Sequence, residues 1–551
     1  MSSNIPVKRR WSWTFASAFL VSSLLTQDSG AQQNPTIKAT TRLVVLNVVV
    51  TDRLGRPVSN LKKEDFSVFE NGRLQSVDTF EASRAQSSSV EASASGVAAA
   101  SNSANTNLSI AATSAGPRVI LVLDQLNSIS EDAMFAVQKL QKYLQSQPAV
   151  LRQPTSLYVL NKRRLEPILG PTLDREAILA KIKKDIIELP PHNLESGGIQ
   201  GAANRLVASL MALDEITLAN AAQKGRKNIV WIGNAMTVLS DTHVSGVDSA
   251  KFRNWVHYTA NWLEETQTTV YTIDPRGVEV SPAAVTTGGM ITGLVPAGGI
   301  VGPDVTTGEL VFEAVAPESG GAILRKRNDI DVAIADVVQD GSSYYTLSYY
   351  PTNTVWDGSF RQIKIRIEPA NLIARTQHGY YAFPDGFEEQ NDQIEFGLSR
   401  ALMTPVAFQS IRFSAKGRVV PASKKPQQQQ GGASFRSGAK IASTQLPAAR
   451  MDVTIERDGL SWAPQPSGDQ HAEFVLVTSA IGATGRVLDN QIHRLAFSQN
   501  KEVYDLAPPE PVKFFVFADI PPKTDHLRLV VRDSSTGRLG TFDLPVASLV
   551  D

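Results

Sequence analysis

The chain is 551 residues long, too long for one hydrophobic core, and about 150 residues per domain divides it into roughly three or four units. Its formal net charge is zero, which leaves no basic field for nucleic acid or anionic lipid, so local runs such as Lys162, Arg163, Arg164 read as solvated turns. Cysteine is absent, which excludes disulfides, thiolate metal sites, a cysteine nucleophile and a lipid-modified N-terminal cysteine.

Lys8, Arg9 and Arg10 precede an apolar run from Trp11 to Leu25 and then Ser29-Gly30-Ala31. That order is the plan of a secretory signal peptide over residues 1–31. The alternative, a retained membrane anchor, needs about 20 apolar residues, and the serines and threonine shorten this run. Export is therefore expected, to the periplasm, the cell surface or the medium, with no membrane span in the mature chain. Residues 36–82 follow as an N-terminal β-rich module: a β-branched strand Leu43–Val50, a turn Asp52–Pro57, a second strand Phe66–Phe69 and the hairpin signal Asn71-Gly72. Strands this short, separated by turns, predict a small antiparallel sandwich. Residues 83–116 are rich in serine, alanine and asparagine, a composition that cannot bury enough surface to fold, and mark a linker.

From residue 117 to 385 strands and helices alternate. Val119–Leu123 is an apolar run of the length expected for a strand covered on both faces, and Asp124 ends it. Ala133, Val137, Leu140 and Leu144 recur at helical steps behind a capping box of Ser128 and Glu131. A strand pair, Ser156–Leu160 with Glu166–Gly170, leads to a helix from Asp174 to Leu189 and a second from Ala203 to Gln223. The strand Asn228–Ile232, an amphipathic helix around Trp255 and Trp262, and the strand Thr269–Ile273 come next, the last closed by Asp274-Pro275. A glycine-rich loop, Gly288–Gly308, has the length of a binding loop or a disordered one. Helices are expected at Glu309–Glu318, stopped by Gly320-Gly321, and at Asp329–Gln339, before strands at Tyr344–Tyr350, Phe360–Ile367 and Tyr380–Phe383. Alternation of this kind predicts a mostly parallel, doubly wound, Rossmann-like α/β sheet with helices on both faces. In such a sheet ligands sit outside the carboxyl ends of the strands, where Asp124 is. Residues 387–551 are strand-rich and predict a C-terminal β-sandwich, interrupted by the low-complexity insertion 423–438.

Several of these segments together resemble the von Willebrand factor A-related domain family of the acidobacterial type, secreted bacterial proteins with a β-rich segment ahead of an A-domain. The matching stretches are VVVTDRLGRPVSNLKKEDFSVFENG (Val48–Gly72), ILVLDQLNS (Ile120–Ser128), GRKNIVWIGN (Gly225–Asn234), VYTIDPRG (Val270–Gly277), SYYTLSYYPTNTVWDGSFRQIKIRI (Ser343–Ile367) and HGYYAF (His378–Phe383). The resemblance implies a metal-ion-dependent adhesion site at the top of the sheet, with Asp-x-Ser-x-Ser after the first strand, a threonine from a later loop and an aspartate after the fourth strand holding Mg²⁺. Here the pattern is degenerate. Asp124 and Ser128 match its ends, but Leu126 replaces the middle serine and Gly233-Asn234 stand where the second aspartate is expected. In Pro190–Asn204 only Ser196 offers a hydroxyl.

Two readings of these residues follow. In one, Asp274 closes a neighbouring strand beside Asp124, and with Ser128 and the amide oxygens of Asn127 and Asn234 the two carboxylates hold Mg²⁺ or Ca²⁺. In the other, Asp274 starts a turn with Pro275, Asn127 and Ser128 cap the helix, and Asp124 accepts from backbone amides. The missing ligands weigh against the metal. No HxxxH pair, GxSxG, P-loop or GxGxxG occurs, so an enzyme is not expected. Tyr344, Tyr345, Tyr349 and Tyr350 alternate along a strand, half inward as core. The expected function is that of an exported, non-enzymatic interaction or adhesion protein whose A-domain top face, roofed by the glycine-rich loop, binds a protein partner. The alternative is a metal-free structural or envelope scaffold, with a hydrolase as the remote third class.

Overall fold

The structure, a computed structural model, describes residues 42–83, 116–186 except 163, 198–276 except 224, 235–237 and 241–245, 309–311, 315–384 except 369–370, 398–421 except 399, 446–505 and 509–549. The signal peptide expected over residues 1–31, the interior of the expected linker, Ser196, the loop Gly288–Gly308 and the insertion 423–438 lie outside the described residues. Among the described residues, no helix is long and apolar enough to cross a membrane.

The chain begins with β1 (Val44–Thr51), β2 (Phe66–Glu70), β3 (Arg73–Gln75) and β4 (Val77–Ser83). Asn71 and Gly72, with φ of 47° and 79°, make the two-residue turn between β2 and β3 that their sequence predicts. An α/β unit follows. It comprises β5 (Arg118–Asp124), α1 (Ser130–Ser146), β6 (Val150–Leu160), β7 (Leu165–Asp174), α2 (Arg175–Lys181) running into a π-helical turn Ile182–Ile186, α3 (Gly198–Ala219), β8 (Lys227–Ile232), β9 (Val238–Ser240), α4 (Gly246–Glu265), β10 (Thr268–Ile273), β11 (Glu309–Val311), α5 (Val315–Glu318), β12 (Ile323–Leu324) and α6 (Ile330–Asp340). Asp174 caps α2, accepting from the amides of Glu176 and Ala177. Two expectations are corrected here. The helix expected over Glu309–Glu318 is instead β11, paired antiparallel with β9, followed by the short α5. The capping box is absent: Ile129 is the N-cap of α1 and its side chain caps nothing, because Ser128 is turned toward Asn234.

The main sheet has the order β12-β10-β8-β5-β6-β7, parallel except for the edge strand β7. Its strands alternate cleanly between two cores. Val119, Leu121, Leu123, Val230, Ile232 and Ile273 face α1, α2 and α6; Ile120, Val122, Ile229, Trp231 and Val270 face α3, α4 and α5. A sheet buried on both faces explains the uninterrupted apolar run in β5. Gly320, at φ 83°, ends α5, and Gly321 lies so close to the Val270 carbonyl that a side chain there would collide with it.

After α6 come β13 (Tyr344–Tyr349), β14 (Phe360–Ile367), β15 (Ile373–Arg375) and β16 (Gly379–Tyr381). The sequence assigns these strands to the α/β sheet and the N-terminal strands to a sandwich of their own; both expectations are overturned. They combine into two antiparallel sheets, β15-β1-β13-β4 and β16-β14-β2-β3, around one core containing Leu46, Val48, Phe66, Val68, Tyr345, Leu347 and Ile363. Tyr344 pairs with Ser83, so the α/β unit is an insertion between two hydrogen-bonded strands of a β-sandwich. The physical reason is that β1–β4 alone cannot enclose a core. Of the four tyrosines, Tyr344, Tyr345 and Tyr349 are buried and only Tyr350 is exposed, since the second face of the β1/β13 sheet is covered by the α/β unit.

That contact is polar at the base of the sheet. Arg226 donates from Nε to Asn228 Oδ1 at 2.9 Å and from Nη2 to the Tyr271 hydroxyl at 3.0 Å. Tyr271 donates to Asp340 Oδ2 at 2.5 Å, and Arg375, from β15, pairs with the same carboxylate. Burial pushes the Tyr271 hydroxyl up to about 12. Beside this network Lys227, 2% exposed, donates from Nζ to the Thr266 carbonyl at 2.6 Å. Burial, and then the charge of Arg118, bring its ammonium down to about 7. On the adjoining surface Asn261 of α4 exchanges hydrogen bonds with the backbone of Tyr381, at 2.7 and 2.8 Å, and His257 stacks on the Tyr381 ring.

The C-terminal strands are β17 (Phe413–Val420), β18 (Ala448–Ile455), β19 (Ala463–Pro464), β20 (Gln470–Gly482), β21 (Val487–Gln499), β22 (Val512–Asp519), β23 (Thr524–Asp533) and β24 (Leu539–Pro545), with α7 (Lys501–Tyr504) between β21 and β22. They form one sheet β17-β18-β22 and another built on β19-β20-β23-β24 with β21 paired to β20. The two enclose a common core including Met451, Val453, Phe474, Leu476, Leu529 and Val531. This module is docked on the α/β unit: Val406, Phe408, Val477, Val530 and Leu539 belong to the same apolar cluster as Leu206, Leu210, Leu213 and Ile216 of α3. A buried ion pair crosses the joint. Asp214 accepts from Trp255 Nε1 at 2.6 Å, from Thr259 Oγ1 at 2.7 Å and from Arg400 Nη1 at 3.2 Å.

Two outcomes follow from this arrangement. Deleting residues 42–83 leaves β13–β16 without partners, so the shortened chain is expected to lose cooperative unfolding and to be cleaved rapidly within residues 344–381 in limited proteolysis; a protected, two-state product would refute the shared sandwich. For Lys227 the folded-state value lies below the unfolded one, so between about 7 and the ordinary lysine value of 10.5 the unfolded chain binds more protons and stability rises with pH. Lys227→Met is expected to flatten that rise relative to wild type, read as the difference in urea midpoints at pH 6 and pH 9.5.

Candidate functional site

Strand order reverses at β5: the chain leaves it toward β6 on one side and returns to β8 on the other. The switch point, where an open α/β sheet leaves its crevice, therefore lies between the carboxyl ends of β5 and β8. Asp124 ends β5 there, 2% exposed. Its Oδ1 accepts the Asn127 backbone N–H at 3.0 Å, and its Oδ2 accepts Asn127 Nδ2 at 2.8 Å and Trp231 Nε1 at 2.9 Å. Both lone pairs of Oδ2 are thus engaged by N–H donors. Burial pushes the carboxyl of Asp124 up, against the pull of the donors from Asn127 and Trp231. Asn127 also donates to Ser209 Oγ of α3 at 2.9 Å, which ties the β5–α1 loop down onto that helix.

Ser128 Oγ accepts the Asn234 backbone N–H at 3.2 Å, bridging the loops after β5 and β8. Between them sits Gly233. A Cβ on it would lie 2.9 Å from the Asp124 carbonyl oxygen and closer still to the Asp124 Cβ, so the close approach of the two strand ends requires glycine. Asp274 is on β10's end, and β8 separates β10 from β5; the expectation of a neighbouring strand is corrected. Its carboxylate is engaged by the residue two positions on: Arg276 donates from its backbone at 3.0 Å, from Nε at 3.0 Å and from Nη2 at 2.6 Å. Leu126 packs against the α3-side core.

These residues do not fit a bound Mg²⁺ or Ca²⁺. Such an ion takes six or more oxygens at 2–2.6 Å, and each carboxylate here is turned to an internal N–H or guanidinium donor. No group of three or more His, Cys, Asp or Glu side chains among the described residues is placed to hold a metal. Asp124, Asn127, Ser128 and Asn234 do come together, as a hydrogen-bonded lock of the crevice; Asp274 joins Arg276 instead. Trp231, Ser209 and Arg276 escape a sequence reading centred on oxygen ligands. One signal was available: an indole in a fully buried strand needs an acceptor for its N–H.

No protein-family model matches the chain, and no curated protein does. Among solved structures, proximal thread matrix protein 1 from the mussel byssus is 12% identical, with 41% of this chain and 48% of that protein covered, so that the chain spans about half its length, at a TM-score of 0.24. The manganese-loaded Plasmodium vivax TRAP protein is 11% identical over 48% of this chain and 93% of that one, TM-score 0.23. The SpRpn10 VWA domain is 14% identical over 30% and 89%, TM-score 0.15. Similarity at this level assigns no family.

Gly233→Ala is expected to destabilise the protein by about 1–3 kcal/mol through overpacking against Asp124. Trp231→Phe, which removes one donor from a buried carboxylate, is expected to lose a similar amount, about 1–3 kcal/mol. Urea denaturation checks both, and unchanged midpoints would mean that the lock is not formed.

Proposed function

We propose that this is an exported, non-enzymatic interaction protein built on a von Willebrand A-type domain, acting as a metal-independent scaffold. The observation that carries the reading is the engagement of Asp124 by Asn127 and Trp231, together with that of Asp274 by Arg276. A carboxylate whose lone pairs already accept short N–H bonds must lose them before it can ligate a cation, and in a buried site that exchange is unfavourable. The motif matches between residues 48 and 383 support the A-type reading, and the order of charged, apolar and small residues in 1–31 supports export. The docking of the α/β unit against both β modules supports a scaffold, since a rigid three-part body presents surfaces in fixed relation. The absence of nucleophile and general-base motifs from the sequence supports a non-catalytic role.

The test is calorimetric titration of the whole mature chain with Mg²⁺, Ca²⁺ and Mn²⁺ after chelator treatment, with melting temperature as a second readout. No saturable heat and no cation-dependent rise in melting temperature are expected, because a cation that binds only the folded state would raise it by mass action. Saturable one-to-one binding that Asp124→Ala removes would overturn the metal-free reading in favour of a cation-bridged top face. Reproducible turnover of generic ester, peptide or glycoside substrates by pure protein would overturn the non-enzyme reading.

A further inference from the structure

The larger sheet of the C-terminal module ends on one side in β24 and on the other in β21. The β24 edge is closed: Phe408 and Thr541 exchange hydrogen bonds, Ile411 donates its backbone N–H to the Leu539 carbonyl at 3.1 Å, and Gln409 bridges to Gly540. Among the described residues β21 pairs with β20 and with no other strand. We propose that β21 is the edge by which two copies of this chain join, antiparallel about a twofold axis at Ile492, into a dimer with one continuous sheet.

Unpaired edges are templates for further pairing, and natural sheets blunt long ones with prolines, charges or bulges. Among the described residues β7 is the other edge strand of ten residues or more, and it is blunted: it carries Pro167 and Pro171, and its register to β6 shifts three times. β21 is 13 residues long. Its one interior register irregularity falls at Val487–Asp489, and beyond it Asn490–Gln499 contains no proline or glycine and one formal charge, Arg494. The α/β unit stops short of this strand. Val477 is wholly buried in the cluster with α3, yet Ile492, opposite it in the register, is 51% exposed.

The side chains name the occupant. Asn490, Ile492, Arg494 and Ala496 are exposed and alternate onto one face. In a twofold antiparallel pair each residue stands opposite the one equally far beyond the centre. About Ile492, the exposed isoleucine meets its own copy, and Asn490 meets Arg494 on both sides of the axis, an amide oxygen beside each guanidinium. A centre at Arg494 would set two guanidinium groups against each other, and like charges directly opposite are destabilising. A second copy thus supplies the missing backbone ladder and a matched row of side chains in one register.

The experiment is light scattering during size-exclusion chromatography of the whole mature chain over a concentration series. A dimer whose fraction rises with concentration is expected. Asn490→Lys sets a lysine opposite Arg494 twice per dimer and is expected to raise the dissociation constant by about tenfold, and adding Arg494→Glu is expected to restore the dimer. The chain has no cysteine of its own, so an introduced one reports the register. Residues opposite each other lie about 4.5–5.5 Å apart between Cα atoms, within the range of a disulfide. Oxidised Ile492→Cys is expected to run as a covalent dimer on a non-reducing gel, and Ala496→Cys, about 27 Å from its counterpart, as a monomer. Far-UV circular dichroism establishes that the variants are folded. A monomer at every concentration, a dimer indifferent to Asn490→Lys, no recovery in the double variant, or equal cross-linking of the two cysteine variants would each overturn the proposal. Cation binding and turnover bear on none of these outcomes.

Discussion

The antiparallel pairing of β4 with β13 is the constraint on which the molecule rests. Ser83 lies opposite Tyr344 and Ala82 opposite Tyr345, so the whole α/β unit is held in a loop whose two ends are neighbours in one sheet. Closing a loop that long is entropically only modestly worse than closing a short one, because the penalty grows with the logarithm of length. What must be supplied is a core to hold the ends, and the residues around Leu46, Val68, Leu347 and Ile363 supply it. Insertions are tolerated where entry and exit strands lie side by side.

Around that junction the α/β unit is gripped from two directions. At the base of the sheet the Arg226, Tyr271, Asp340 and Arg375 network joins it to the sandwich. Along α3 the C-terminal module completes the apolar cluster and adds the Asp214–Arg400 pair. A buried ion pair is weak support for stability in itself, since desolvation offsets most of its attraction, but breaking one partner leaves an uncompensated charge. Asp214 meets that demand with Trp255 and Thr259 as further donors. The result is a helix, α3, buried on both sides: Leu213 and Ile216 are wholly buried, and so are Asp214 and Thr217.

The same economy of donors governs the top of the sheet. In a crevice between strand ends, a buried carboxylate must find partners, and whether those are a cation or N–H groups is decided by what the neighbouring strands carry. Here Trp231 projects an N–H from β8 and Asn127 folds back from the following loop, and Gly233 lets the two strand ends close on each other. Leu126 of the same loop packs against the apolar core on the α3 side.

Local sequence by itself determined most of the alternation of strands and helices, the strand Val119–Leu123 ending on Asp124, the Asn71-Gly72 turn and the strand pair around residues 162–164, because each is written in periodicity or turn chemistry over a few residues. It also determined that Leu126 and Gly233 offer no oxygen side chain beside Asp124. Only the tertiary structure decided that Tyr344–Tyr381 pair with Val44–Ser83, since backbone ladders carry no partner code and the contact spans more than the length of a domain. The same holds for the Asp274–Arg276 pairing in place of an Asp124–Asp274 site: strand order is a non-local property, and β8 comes between them.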